Sequence, residues 1–84
     1  MNVKTDRKSV GQRIKDLRKK NNETQKELAD VINSTPNSIS KLENGDMGLT
    51  FENMLLIAEH FNVSLDYLCK GEGGSNLLVT LNPS

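Results

Sequence analysis

The chain contains one cysteine, Cys69, and one histidine, His60. A lone thiol cannot close an internal disulfide or build a cysteine-based metal cage, and His60 has no partner at ligand spacing. Both read as structural or surface residues, and no metal or other cofactor is expected. Long hydrophobic runs are missing as well: nothing approaches the roughly 20 apolar residues that span a bilayer, and M-N-V-K-T-D-R-K-S-V at the start lacks the apolar stretch of a signal peptide. These absences point to a cytoplasmic protein without a membrane partner. A chain of 84 residues buries only about 60% of its unfolded surface, which makes a small core and no deep catalytic cleft. Paired carboxylates, an activated nucleophile and a phosphate-cradling loop are also absent, since G-E-G-G at 71–74 lacks the strand-turn-helix context such a loop needs. An enzyme is not expected.

Net charge is absent too, but its distribution is uneven. Residues 1–20 carry eight bases (Lys4, Arg7, Lys8, Arg13, Lys15, Arg18, Lys19, Lys20) against Asp6 and Asp16, a balance of +6, and residues 21–84 balance it at −6. Such asymmetry suits a nucleic-acid or membrane partner, and it equally suits a solvated basic helix face.

What is present is a succession of short helix signatures. After a basic arm at 1–8, Ser9-Val10-Gly11-Gln12 has the S-x-x-Q form of a capping box and predicts a helix to about Lys20, with Val10, Ile14 and Leu17 on one stripe. Arg18 lies about 40° from Ile14, on the edge of that stripe, where an arginine needs a partner. Thr24-Gln25-Lys26-Glu27 is a stricter capping box, followed by Leu28, Ala29 and Ile32. Asn33-Ser34-Thr35 reads as a turn, with Asn33 suited to a left-handed backbone. Thr35 as N-cap and Pro36 at the first helical position begin a third helix, which Gly45 ends. Thr50 caps a fourth helix bearing Phe51, Met54, Leu55, Ile57, Ala58 and Phe61, the most apolar of the chain and the expected centre of the core. After the Asn62-Val63 turn, Ser64 caps a short fifth helix with Leu65 and Leu68, closed by Gly71. The expected fold is all-α, a compact five-helix domain at 9–70. A glycine-rich joint and apolar tail follow at 71–84. There Leu77-Leu78-Val79-Thr80-Leu81 is β-prone and reads either as a solvated tail or as a strand-like segment for docking, dimerisation or capture of a partner protein.

On the third helix Ile39 and Leu42 define the inner side. Asn37, Lys41 and Asn44, at i, i+4 and i+7, project close to the opposite direction, flanked by Ser38 and Ser40. That outward line holds no carboxylate, so a phosphate-rich surface meets no repulsion there. Asparagine can bond adenine bidentately, lysine can donate to guanine, and Ser or Thr can serve several base edges. Gln25, at a helix start with free N–H groups, is placed for a phosphate.

Residues 10–68, about 70% of the chain, resemble the Cro/phage-repressor (XRE-type) helix-turn-helix family. The resemblance rests on T-Q-K-E-L-A at 24–29, I-S-K-L-E-N-G at 39–45 and V-S-L-D at 63–66, in this order and spacing. It implies that the helix from Pro36 lies in the major groove of double-stranded DNA, as part of a homodimer. Base contacts are then expected from Thr35, Pro36, Asn37, Ser38 and Lys41, and phosphate contacts from Gln25, Ser40, Asn44 and Arg13. Arg18 and Glu43 match a family arginine–glutamate pair, in keeping with Glu43 lying about 40° from Ile39 at the core's edge. The chain departs from the family at Asn33 for a turn glycine, Ser34 for an apolar residue, Glu23 for a leucine, and Pro36, which cannot donate to a base. A sequence-specific transcriptional repressor is the reading these residues favour. The alternative is a protein-interaction module, such as the antitoxin of a toxin–antitoxin pair, with DNA binding secondary.

Overall fold

The computed structural model describes residues 6–71. The rest of the arm and the tail with Leu77–Leu81 lie outside the described residues. Five helices follow in order: α1 (Arg7–Lys20), α2 (Gln25–Val31), α3 (Pro36–Asn44), α4 (Phe51–Phe61) and α5 (Leu65–Lys70), with no strand among the described residues.

Short polar side chains set most of the boundaries. Thr24 and Glu27 form the reciprocal capping box at the start of α2: Glu27 N donates to Thr24 Oγ1 (3.0 Å) and Thr24 N to Glu27 Oε1 (2.8 Å). Thr35, Thr50 and Ser64 cap α3, α4 and α5, with Pro36 opening α3. Asn33 takes φ 55° and Gly45 φ 84°, the left-handed values that let the chain leave α2 and α3 sharply.

The first helix starts earlier than expected. Asp6, not Ser9, is its N-cap, accepting from Lys8 N (3.2 Å) and from the Ser9 hydroxyl (2.8 Å), so Arg7 and Lys8 are its first residues. Gln12 turns to Asp16 (2.9 Å) instead of closing a box. Capping at Asp6 leaves the backbone more intrahelical bonds, and the two hydrogen bonds, the Ser9 hydroxyl first, hold the Asp6 carboxyl below its ordinary range.

The core gathers Val10, Ile14 and Leu17 from α1, Leu28, Ala29 and Ile32 from α2 and its end, Ile39 and Leu42 from α3, and Ile57, Ala58, Val63 and Leu68 from the C-terminal pair. Its centre is not α4. Only Ile57 and Ala58 of that helix are buried, and Phe51 is 67% exposed. Apolar side chains extend over a wider arc of α4 than its neighbours α2 and α5 cover. The most completely buried side chains, Ile14, Leu28, Ile39, Ile57 and Leu68, come one from each helix, so all five helices close on the core and α4 supplies one strip of it.

At the far side, His60 Nε2 donates to Glu23 Oε2 (2.6 Å), joining the end of α4 to the α1–α2 turn. The other oxygen, Glu23 Oε1, is buried without a partner. Glu23 therefore occupies an apolar position by means of one histidine. His60→Ala should cost about 1–3 kcal/mol by stranding that carboxylate, read from urea midpoints; unchanged midpoints would show the contact to be idle. Cys69 is half-buried against Met54, its Sγ 3.1 Å from the thioether sulfur.

Candidate nucleic-acid interface

The α2–α3 unit is held from behind by one carboxylate. Glu43 points from α3 into the core and is 4% exposed. Arg18 of α1 meets it with two parallel bonds, Nε to Oε2 at 2.6 Å and Nη2 to Oε1 at 3.1 Å. The remaining Arg18 nitrogen, Nη1, donates to the Glu23 carbonyl (2.8 Å), and Gln25 Nε2 donates to Glu43 Oε1 (3.1 Å). Glu43 thus fastens α1, the first residue of α2 and α3 to one another. The bidentate bond to Glu43 is the main reason the Arg18 guanidinium is held even more firmly protonated than usual.

This arrangement fixes which way α3 faces. With Ile39, Leu42 and Glu43 buried, Pro36, Asn37, Lys41 and Asn44 are exposed and Ser40 is half-buried. Thr35 Oγ1 both accepts from Ser38 N (3.2 Å) and donates to Ser38 Oγ (3.1 Å), so these two hydroxyls stand together at the start of the helix. Among the described residues Lys41 makes no ion pair, which leaves its ammonium to a ligand. Beside α3, the first residues of α2 present N–H groups without intrahelical partners.

Two of the expected phosphate ligands also make hydrogen bonds within the domain. Arg13 reaches α5: its Nη1 donates to the Leu68 carbonyl (2.8 Å), and its guanidinium closes over Gly71 at the end of α5, where a cation suits the helix dipole. A basic residue in a basic segment carries no local signal of a partner 55 positions away. Gln25 is at the α2 start, but its amide is engaged inward with Glu43, leaving one amide hydrogen and its own backbone N–H for an outside group. The spacing of capping residues could not disclose that inward bond.

Sequence reasoning also missed Gly11. It is buried on α1 where that helix crosses the end of α3, and a Cβ there would sit 2.2 Å from the Leu42 carbonyl oxygen and 2.7 Å from that of Glu43. Its absent side chain lets Arg18, two turns on, reach Glu43. Among the described residues no group of three or more His, Cys, Asp or Glu side chains could hold a metal ion, and no helix is long and apolar enough to cross a membrane.

Known proteins resemble this chain in sequence and in fold. A helix-turn-helix family model matches residues 14–68. The chain is 40% identical over 55 residues to antitoxin PezA of Streptococcus pneumoniae serotype 4, a match that covers 66% of this chain and 35% of that protein. It is 37% identical over 60 residues to the cryptic phage CTXphi transcriptional repressor RstR of Vibrio cholerae serotype O1, covering 71% of this chain and 54% of that one. The crystal structure of the P22 c2 repressor in complex with a synthetic operator superposes with a TM-score of 0.71 at 32% identity, over 75% of this chain and 96% of that chain. The chain spans about a third to a half of the length of these two curated relatives. The match over residues 14–68, which runs from the middle of α1 into α5, establishes that the chain belongs to the helix-turn-helix family.

Proposed function

We propose that the chain is a sequence-specific double-stranded DNA-binding repressor of transcription, a non-enzymatic cytoplasmic regulator acting as a homodimer with α3 in the major groove. The carrying observation is the exposed line Asn37, Lys41 and Asn44, free of carboxylates, on a helix whose orientation is set by the buried Arg18–Glu43–Gln25 network. Thr35, Pro36, Asn37, Ser38 and Lys41 are the residues for base edges. The Pro36 ring offers only apolar contact, as to a thymine methyl. Phosphates fall to Ser40, Asn44 and Gln25, the last through its backbone N–H and the amide hydrogen that Glu43 does not use. Arg13 is the fourth phosphate candidate, with one guanidinium nitrogen also donating to the Leu68 carbonyl. Support comes from the P22 c2 repressor, a relative in fold and sequence described in complex with an operator.

The test is duplex binding measured against salt, followed by selection of bound duplexes from a random pool. Affinity should fall steeply between roughly 50 and 200 mM salt, because each Lys or Arg that neutralises a phosphate releases counterions. Lys41→Ala should cost about 1–3 kcal/mol and relax preference at one base pair of the selected site. Paired half-sites about 34–36 Å apart, or a multiple of that, are expected. A flat salt response would sink the reading.

Similarity to PezA, an antitoxin by name, favours a second reading in which the chain also captures a protein partner. Pull-down of a partner whose binding survives Lys41→Ala, with no duplex shift by the unmodified chain, would make that the primary function.

A further inference from the structure

Resting on the dimeric reading above, we propose that α4 and the cavity beside it form the surface through which two copies of this chain pair, Phe51 of each copy filling the cavity of the other. Four large apolar side chains lie exposed in the α3–α4 connection and on α4: Met47 (38%), Phe51 (67%), Leu55 (36%) and, farther round the helix, Leu56 (38%). Phe51 and Leu55, one helical turn apart, make a protruding ridge. Directly beside it opens a cavity of about 410 Å³ whose walls include Val10, Leu42, Leu49 and Met54, with Met47 and Phe51 at its rim. A protruding aromatic and an apolar recess on the same face are what a two-fold contact requires, since such a contact places one patch against its own copy.

Charge agrees with this occupant. Arg7 also lines the cavity, with its guanidinium over Gly48, and among the described residues it makes no ion pair. Glu52 and Glu59 lie about 100° and 80° around α4 from Phe51, alongside the ridge. Both are exposed. When the ridge of one copy enters the cavity of the other, Arg7 at the mouth faces the acidic flank of the incoming α4, and the symmetry makes the contact twice. A partner with basic flanks would be repelled by Arg7 at the same place.

Sedimentation velocity of the full chain over a concentration series tests the surface. The unmodified chain should pass from monomer to dimer. Phe51→Glu should keep its helical circular dichroism, because the ring is mostly exposed, and raise the dimer dissociation constant about tenfold or more. Arg7→Glu and Glu52→Arg should each weaken pairing, and the two together should recover most of it. Leu78→Asp, in the tail, should leave the dimer unchanged. The proposal is overturned by a chain that stays monomeric throughout, by Phe51→Glu dimerising normally, by a double charge reversal no better than the single ones, or by Leu78→Asp dissociating the dimer, which would assign the contact to the tail. Binding to a duplex with one half-site separates this from the DNA reading. Phe51→Glu should bind it as the unmodified chain does and lose its advantage only on paired half-sites, whereas no binding of the single half-site by either protein would fault the DNA reading itself.

Discussion

Arg18→Met is expected to lower the stability of the domain by about 3–5 kcal/mol, because it leaves the Glu43 carboxylate buried and deprived of its cation. Glu43 is 4% exposed and Gln25 would be its remaining partner, a single neutral amide at 3.1 Å. Small domains hold only about 5–15 kcal/mol in total, so this variant should unfold at a much lower urea concentration. Arg18→Lys should fall between, since an ammonium cannot make the parallel pair to Glu43 and also reach the Glu23 carbonyl. The joint replacement Arg18→Met with Glu43→Leu is the informative control. Removing both charges should restore most of the loss, as buried pairs are often no better than apolar residues of similar size. If the double variant is as unstable as Arg18→Met, the network holds the helices by geometry rather than by cancelling a buried charge. The Arg18 pKa is raised in the folded state, so its contribution is complete at every pH below the ordinary arginine value and is lost only in strong alkali. Over the neutral range the measured difference should not depend on Arg18 titration.

The second large effect is expected from Gly11→Ala, with an inverted sign as its signature. In an unpacked helix this change gains about 1 kcal/mol, because glycine is the poorer helix former. Here it should cost roughly 3 kcal/mol or more, the upper end of what overpacking produces. The added carbon would meet the carbonyl oxygens of Leu42 at 2.2 Å and Glu43 at 2.7 Å, and backbone cannot rotate aside as a side chain can. Relief requires α1 to move off the end of α3, which also draws Arg18 away from Glu43. Urea unfolding of Gly11→Ala beside a glycine-to-alanine change outside the packed helices would separate the two contributions. A stabilised Gly11→Ala would show that α1 and α3 are not in contact there.

These two residues illustrate how unevenly the molecule could be read in advance. Helix boundaries at Thr24, Thr35-Pro36, Gly45, Thr50, Ser64 and Gly71 follow from chemistry acting within three or four residues, and each is where local reasoning puts it. The exposed line on α3 was legible for the same reason, since Ile39 and Leu42 orient a helix whose remaining faces follow at 100° per residue. Asp6 against Ser9 marks the edge of that method. Both residue types cap helices, and the choice between them depends on how many further backbone bonds the extra turn closes.

Helical periodicity marks Arg18, at the edge of the apolar stripe, as needing a partner, and gives no such mark for Arg13. Arg13 secures the end of α5 and Arg18 the back of α3, because the fold brings different carbonyls and carboxylates to them from 55 and 25 residues away. Nor does apolar content reveal that only Ile57 and Ala58 of α4 are buried: burial depends on which neighbours arrive, and Phe51 has too few. Gly11 carries its meaning only in the 2.2 Å it leaves to another helix. Short-range hydrogen bonding and helical periodicity therefore sufficed for the elements, their order and the outward face of α3. Long-range packing alone decided where Arg13 donates, which glycine meets another helix's backbone, and which apolar face remains open.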